Sequence, residues 1–108
     1  MQKLVIKLFI LFYKWYMLFM VMKMSRAKPI SYKNTSKYIQ IGLNISYYRK
    51  LRGLSQEELA EKTGISRSYL SAIEAPNIVK TISLELLFDI SDALSVEPNR
   101  LLEFKETF

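Results

Sequence analysis

The sequence has no cysteine and no histidine among its 108 residues. These absences exclude disulfide bonds, thiol nucleophiles, His-dependent catalytic triads and every zinc site built from thiolate or imidazole ligands. A carboxylate-only site for magnesium or calcium stays formally open. However, helix capping and a solvated face explain the clustered Glu57, Glu58 and Glu61 better than a metal site or an acid–base pair does. We therefore expect no metal, no cofactor and no enzymatic activity.

The first 24 residues lack acidic residues, glycine and proline, and their composition differs from that of the rest of the chain. Nineteen of them are hydrophobic, and all five methionines and the single tryptophan lie among them. The remaining 84 residues contain 35 hydrophobic ones, an ordinary globular fraction. These contrasts predict four segments: a hydrophobic N-terminal segment (1–24), a basic linker or arm (25–36), a folded domain (37–104) and a tail (105–108).

Several interpretations of the N-terminal segment remain open at this point. As a membrane helix, 4–22 is close to the roughly 20 residues needed to span a bilayer, although Lys14 near its centre costs about 2.5–3.5 kcal/mol. Lys3, Lys7 and Lys14 fall within about 40° of one another on a helical wheel, which also suits a helix lying in the interface. A signal peptide is disfavoured, because Lys14 interrupts the apolar run and no small-residue cleavage site follows it. Alternatively, the segment is an oligomerising helix, or upstream sequence translated in frame before a true start at Met24.

Positive charge is concentrated in the first part of the chain. The sequence has 16 Lys and Arg against 10 Asp and Glu, a formal charge of +6. The N-terminal segment contributes +4, residues 25–80 contribute +6 and residues 81–108 contribute −4. Net charge alone is therefore a weak indicator, because the chain without its first 24 residues is nearly neutral. A basic arm and middle region set against an acidic C-terminal end favour a nucleic-acid partner.

Apolar residues recur at helical intervals after the arm, and no period-two run is long enough to predict a strand. The pattern predicts a first helix over 38–52, which Gly53 ends in a left-handed conformation. Three serines are the expected N-caps of three more helices: Ser55, Ser66 and Ser83. Pro98 is expected to open a short fifth helix.

Residues 55–74 have the spacing of a helix-turn-helix. A helix of about eight residues, a turn hinged on Gly64 and a second short helix from Ser66 match that supersecondary unit. Ala60 is small where the two helices cross, and Ile65 is apolar where the turn can fill the space between them. The second helix keeps a polar or small outer face, which can enter a DNA major groove about 12 Å wide.

The stretch from Leu54 to Glu74, LSQEELAEKTGISRSYLSAIE, strongly resembles the Cro/repressor-type helix-turn-helix family, also called the xenobiotic-response-element family. The elements Gln-Glu-Glu-Leu-Ala, Gly-Ile-Ser, Tyr-Leu-Ser and Ile-Glu stand at the family's spacing, and the resemblance covers about 38–104. It implies an all-α fold, a lambda-repressor-like bundle of five short helices, here preceded by a hydrophobic N-terminal helix. It also implies sequence-specific binding of double-stranded DNA by a small, cytoplasmic, bacterial-type transcriptional regulator.

The resemblance further implies a recognition helix over about 66–74. The residues expected to contact DNA on this basis are Gln56, Ser66, Arg67, Ser68, Tyr69, Ser71 and Ala72. Gln56 is expected to contact a phosphate and to brace the recognition helix. Tyr69 could stack on a sugar-phosphate, and packing against the first helix is the alternative for its ring. Arg49 and Glu74 are expected to form a structural pair between the first helix and the end of the recognition helix.

The loop after the recognition helix departs from the family pattern. The family often continues with Arg-Gly or Asn-Gly, whereas this chain has Ala75-Pro76-Asn77. Because Pro76 forbids further helix, the loop 75–82 must run differently. Asn77, Lys80 and Thr81 are our candidates for its phosphate contacts.

One module of this size has too little surface for high specificity, so we expect a homodimer that reads two half-sites about one helical turn apart. Its interface is expected near the fifth helix and the tail, where four apolar residues cluster: Leu101, Leu102, Phe104 and Phe108. Two alternatives to a soluble DNA-binding regulator are kept. One is an antitoxin-like or protein-interaction module. The other is a regulator anchored in the inner membrane through 4–22, with its DNA-binding domain in the cytoplasm.

Overall fold

The computed structural model describes residues 2–24 and 29–104, and within these ranges every regular element is helical. A 3₁₀ turn at Tyr32–Asn34 precedes the second of six α-helices: α1 (Gln2–Met24), α2 (Thr35–Leu51), α3 (Gln56–Thr63), α4 (Arg67–Glu74), α5 (Leu84–Leu94) and α6 (Pro98–Leu101). The predicted fold class, five short helices preceded by a hydrophobic one, is confirmed. The part of the predicted arm at 25–28 and the tail at 105–108 lie outside the described residues.

Three serine hydroxyls cap the N-terminal ends of α3, α4 and α5, as the sequence predicts. The Ser55 Oγ accepts a hydrogen bond of 3.0 Å from the backbone N–H of Glu58, while the Glu58 carboxylate accepts one of 3.2 Å from the Ser55 N–H. The Ser66 and Ser83 hydroxyls each accept a backbone N–H three residues on, at 3.1 Å. Each cap satisfies a donor that the first helical turn leaves without a partner, so these serines determine where the helices start.

The start of α2 differs from the prediction, because the helix begins at Thr35 rather than at residue 38. The Thr35 hydroxyl donates a hydrogen bond of 2.7 Å to the carbonyl of Tyr32, which joins the 3₁₀ turn to the helix. The predicted arm therefore includes one 3₁₀ turn and two helical residues. Its polar residues carry no apolar periodicity, so the sequence pattern could not reveal this first turn.

The hydrophobic core lies where α2 to α6 meet. Eleven buried apolar side chains form it: Ile41, Ile45, Leu59, Ala60, Leu70, Ile73, Leu86, Leu87, Ile90, Leu94 and Leu101. The short helix α4 packs against both α2 and α3, so its position in the bundle is defined from two sides. Leu101 is 0% exposed, whereas Leu102 and Phe104 are 40% and 45% exposed. The expectation that Leu101 belongs to a dimer surface is therefore wrong, since the core already covers it; Phe108 lies outside the described residues.

Gly42 allows α2 and α4 to approach each other closely. A Cβ atom at this position would overlap the backbone carbonyl oxygen of Ile73 in α4. Ala60, predicted to be the small residue at a helix crossing, is 3% exposed, whereas the close approach at Gly42 was not predicted. The signal was nonetheless present, since a glycine inside a helix costs about 1 kcal/mol relative to alanine and so implies a packing reason.

Candidate nucleic-acid interface

Helix α4 has two chemically different sides. Leu70, Ile73 and Glu74 are buried on the side that faces the bundle. Arg67, Ser68 and Ser71 are exposed on the other side, and together they line one open surface hollow. The exposed side carries a cation and hydroxyl groups, which are the side chains that contact base edges and phosphates in protein–DNA complexes.

The N-terminal end of α4 brings several donors and acceptors together. The Ser66 and Ser68 hydroxyls lie 3.3 Å apart, and Ser66 also caps the helix. Arg67 is the first helical residue, and its side chain is exposed. The positive end of the helix macrodipole is located here, so the helix end and Arg67 both favour an anionic ligand such as a phosphate.

A cluster of hydrogen-bonded side chains, two of them buried, fixes the C-terminal end of α4. Arg49 of α2 contacts both carboxylate oxygens of Glu74, with 2.8 Å between its Nε and Oε2 and 2.8 Å between its Nη2 and Oε1. The two side chains are 10% and 4% exposed, and Arg49 also donates to the Leu54 carbonyl at 2.8 Å. Gln56, the first residue of α3, donates from its Nε2 to Glu74 Oε1 at 3.2 Å. Glu74 therefore links α4 to both α2 and α3, and its buried charge is paired.

Tyr69 connects α4 to the loop that follows it. Its ring packs against the core, and its hydroxyl donates a hydrogen bond of 3.1 Å to the Thr81 carbonyl. Thr81 is one of the candidates for a phosphate contact in this loop, and its main chain is thus held by α4. This hydrogen bond was not predicted, because the twelve-residue separation crosses the end of α4 and an irregular loop, which leave no periodic signal.

The backbone becomes extended at Ala75, the first residue after α4. Ala75 has φ −71° and ψ 128°, and Pro76 follows it, so the helix ends at Glu74 without a glycine cap. A turn closes with a hydrogen bond of 3.4 Å from the Ile78 N–H to the Ala75 carbonyl. Asn77 and Lys80 both remain exposed on this loop.

Arg52 is a further positioning residue, and its role was not predicted from the sequence. Its guanidinium donates to the carbonyls of Leu94 at 2.8 Å and Ser95 at 3.2 Å, where α5 ends. Ser95 itself has a left-handed backbone, with φ 55°. Arg52 therefore joins the end of α2 to the end of α5, and its charge suits the negative end of that helix.

All ten residues predicted to contact DNA lie within the described part of the chain. Seven have exposed side chains: Ser66, Arg67, Ser68, Ser71, Asn77, Lys80 and Thr81. Three are partly buried: Gln56, Tyr69 and Ala72. Among the residues that the structure describes, no group of three or more acidic side chains is arranged to hold a metal ion.

Comparison with known proteins gives consistent matches to this domain. A family model described as Helix-turn-helix matches residues 45–101. The HTH-type transcriptional regulator SinR of Bacillus subtilis (strain 168) is 45% identical over 65 residues, which cover 60% of this chain and 58% of that regulator. The chain therefore spans less than two thirds of the length of this relative.

Two solved structures resemble the domain closely. One is the crystal structure, in complex with DNA, of SinR, which is described there as the master regulator for biofilm formation. It matches this chain with a TM-score of 0.54 and 44% identity. The match covers 58% of this chain and 98% of that one. The restriction-modification controller protein C.AhdI from Aeromonas hydrophila has a TM-score of 0.56 and 32% identity, with 61% and 97% covered.

Proposed function

The chain belongs to the Cro/repressor-type helix-turn-helix family, and we propose that it is a transcriptional regulator that binds double-stranded DNA sequence-specifically in the cytoplasm. The expected family membership is thereby confirmed. The relatives named above are regulators and a controller protein rather than enzymes, in agreement with the expected absence of enzymatic activity. The observation that carries the proposal is the division of α4 into a buried side and an exposed side with Arg67, Ser68 and Ser71.

The dimensions of α4 suit a major groove. Its eight residues give a length of about 12 Å at 1.5 Å per residue, similar to the groove width of about 12 Å. We assign base contacts to Arg67 and Ser68 at its N-terminal end, with Ser71 and Ala72 one turn on. Ala72 is too short to hydrogen-bond a base, so its contribution is a methyl contact with thymine.

Phosphate contacts are assigned around the recognition helix. Ser66 and Tyr69 border its N-terminal turn, and Asn77 and Lys80 extend from the loop that follows. Gln56 keeps its proposed phosphate contact at the start of α3, while its amide nitrogen braces Glu74. Contacts of this kind position the protein without reading sequence, and they make the affinity fall steeply with salt.

We propose a homodimer as the DNA-bound form, because one module buries too little surface for high specificity. The surface assigned to the interface includes the exposed Leu102 and Phe104 beside α6. Leu43 and Tyr47 of α2 lie across an open cleft of about 750 Å³ that Phe104 also lines. A second copy of this chain would cover these exposed apolar side chains.

Selection of duplexes from a random pool tests the DNA-binding proposal directly. The full chain, kept in mild detergent because α1 exposes apolar side chains, should enrich sequences with two half-sites related by a two-fold axis. The affinity for the selected duplex should fall with rising salt, as counterion release requires. Enrichment of no sequence, together with no salt-dependent retention of random duplex, would overturn the proposal and favour a protein-interaction module.

The dimer proposal is tested separately by sedimentation over a range of protein concentrations. Leu102→Glu should weaken self-association, because it places a charge in the proposed interface. Leu84→Glu is the matched control, since Leu84 is 66% exposed on α5, outside that surface. Equal effects of the two substitutions would exclude this surface as the interface.

A further inference from the structure

Helix α1 has a continuous apolar surface that the rest of the protein leaves uncovered. The window Gln2–Val21 has a mean hydropathy of 1.9, and 0% of it is buried. Its aromatic residues are among the most exposed, with Phe12 75% and Trp15 77% accessible. Uncovered apolar surface on this scale marks a site of interaction with a partner or a membrane.

The distribution of polar residues around α1 decides which partner fits. Lys3, Lys7 and Lys14 fall on one narrow stripe, and from Leu4 to Val21 every residue other than Lys7 and Lys14 is hydrophobic. A second copy of the helix would bury only a seam of about two residues in seven and would leave the other apolar residues in water. A helix that is hydrophobic over most of its circumference requires an environment that is apolar on nearly every side. The hydrocarbon interior of a lipid bilayer is such an environment.

We propose that α1 crosses a lipid bilayer and holds the helix-turn-helix domain at its cytoplasmic face. The candidate span of 20 residues has a length of about 30 Å at 1.5 Å per residue, which equals the thickness of the hydrocarbon core. Lys3 and Lys7 lie near one end, where their amines reach the headgroups. Lys14 lies about 10 Å further along the axis on the same stripe, so its long side chain can extend in the same direction.

The flanking charges predict the orientation of the helix. Positively charged residues are more frequent on the C-terminal side of the span than on its N-terminal side. The C-terminal group comprises Lys23, Arg26, Lys28, Lys33 and Lys37. Such a bias retains the C-terminal side in the cytoplasm, where the DNA is located. The N-terminus of the chain is then on the opposite face of the membrane.

Extraction of membranes from cells that express the full chain tests the proposal. The chain should remain in the membrane fraction at alkaline pH, which releases proteins held only at the surface. Ile10→Lys and Phe12→Lys form a matched pair, because residue 10 lies beside the lysine stripe and residue 12 lies on the opposite side of the helix. For a spanning helix both substitutions add a charge within hydrocarbon, and both should lower retention by a similar factor of about ten or more.

The other outcomes contradict the proposal. A chain that is released at alkaline pH, with Ile10→Lys tolerated and Phe12→Lys not, lies in the interface and does not span. A chain that stays in the soluble fraction has no membrane role. Mass analysis of the protein isolated from its own host supplies an independent check. A product that begins at Met24 would overturn the proposal, whereas one containing residues 1–23 supports it.

The absence of cysteine allows the orientation to be measured by labelling. Gln2→Cys introduces the only thiol on the N-terminal side of α1, and Ser36→Cys introduces one at an exposed position of α2. A membrane-impermeant maleimide should label Gln2→Cys in intact cells, and Ser36→Cys only after lysis. The reverse pattern, or labelling of both variants in intact cells, would refute the proposed arrangement.

Discussion

The two sides of α4 differ in whether their polar side chains are hydrogen-bonded to the rest of the protein or exposed to solvent. On the inner side, Glu74 accepts hydrogen bonds from both Arg49 and Gln56, and its side chain is 4% exposed. On the outer side, Arg67, Ser68 and Ser71 are exposed to solvent. The eight residues of α4 therefore have two roles, since the inner side fixes the helix in place and the outer side is free to contact a ligand. Substitutions on the two sides should therefore have different consequences.

The largest effect is expected for Glu74→Ala on the inner side. It leaves the buried guanidinium of Arg49 without its carboxylate partner, which typically costs about 3–5 kcal/mol of unfolding free energy. Denaturant unfolding measures this loss, with Glu61→Ala on the exposed face of α3 as the control. The double variant Arg49→Ala/Glu74→Ala should lose clearly less than the sum of the two single variants. Simple additivity would mean that the pair does not act as a unit.

Gly42→Ala should also destabilise the protein, although alanine is the better helix former. The gain in helix propensity is about 1 kcal/mol, while overpacking of the new Cβ against the Ile73 carbonyl costs about 1–3 kcal/mol or more. The clash is with backbone, which cannot move aside as a flexible side chain would. Thermal unfolding of the variant should therefore occur at a lower temperature. Lys37→Ala, at an exposed position of α2, is the control and should leave the stability nearly unchanged.

Arg67→Ala tests the outer side. It should weaken binding to the preferred duplex by about 1–3 kcal/mol and flatten sequence preference at one position, with the unfolding free energy unchanged. Lys62→Ala is the control, because it removes one positive charge from an exposed site near the end of α3, outside both the proposed DNA contacts and the proposed dimer surface. Equal losses on specific and random DNA would identify Arg67 as a backbone contact rather than a base contact.

The smallest effect is expected for Tyr69→Phe. Tyr69 is partly buried, between the inner and outer sides of α4. The substitution removes only the hydroxyl that donates to the Thr81 carbonyl, so about 0.5–1.5 kcal/mol of stability should be lost. Amide chemical shifts should change in the loop that carries Asn77 and Lys80. Tyr32→Phe is the control, because Tyr32 is 92% exposed in the 3₁₀ turn before α2. An unchanged loop spectrum for Tyr69→Phe would show that the hydroxyl does not hold the loop.

Most of the helical pattern was predictable from local signals. These signals are the capping serines, the glycines that end α2 and α3, and the apolar residues at helical spacing. Each depends on only a few neighbouring residues, and the structure shows each of them as predicted. The Arg49–Glu74 contact spans 25 residues, yet the family resemblance indicated it. The DNA contacts assigned to α4 and its loop rest on that same resemblance and stay predictions.

The features that were missed depend on how elements meet in space. The Gly42 approach, the Tyr69–Thr81 hydrogen bond and the Arg52 contacts with the end of α5 join segments that periodicity treats separately. The burial of Leu101 was missed for the same reason. An apolar residue near the end of a domain has the same sequence signature whether it completes the core or faces a partner, and only the packing of α6 against α2 and α5 distinguishes the two.

The last turn of α2 and its C-cap residue make two connections that are only three residues apart in sequence. Arg49 binds the end of α4, and Arg52 binds the end of α5. Local opening of this single turn would release both ends together, so the two helix termini belong to one cooperative unit of hydrogen exchange. The slowly exchanging amides of α4 and those at the end of α5 should then report the same opening free energy. A ligand that orders α4 would slow exchange at the end of α5 as well, without touching it.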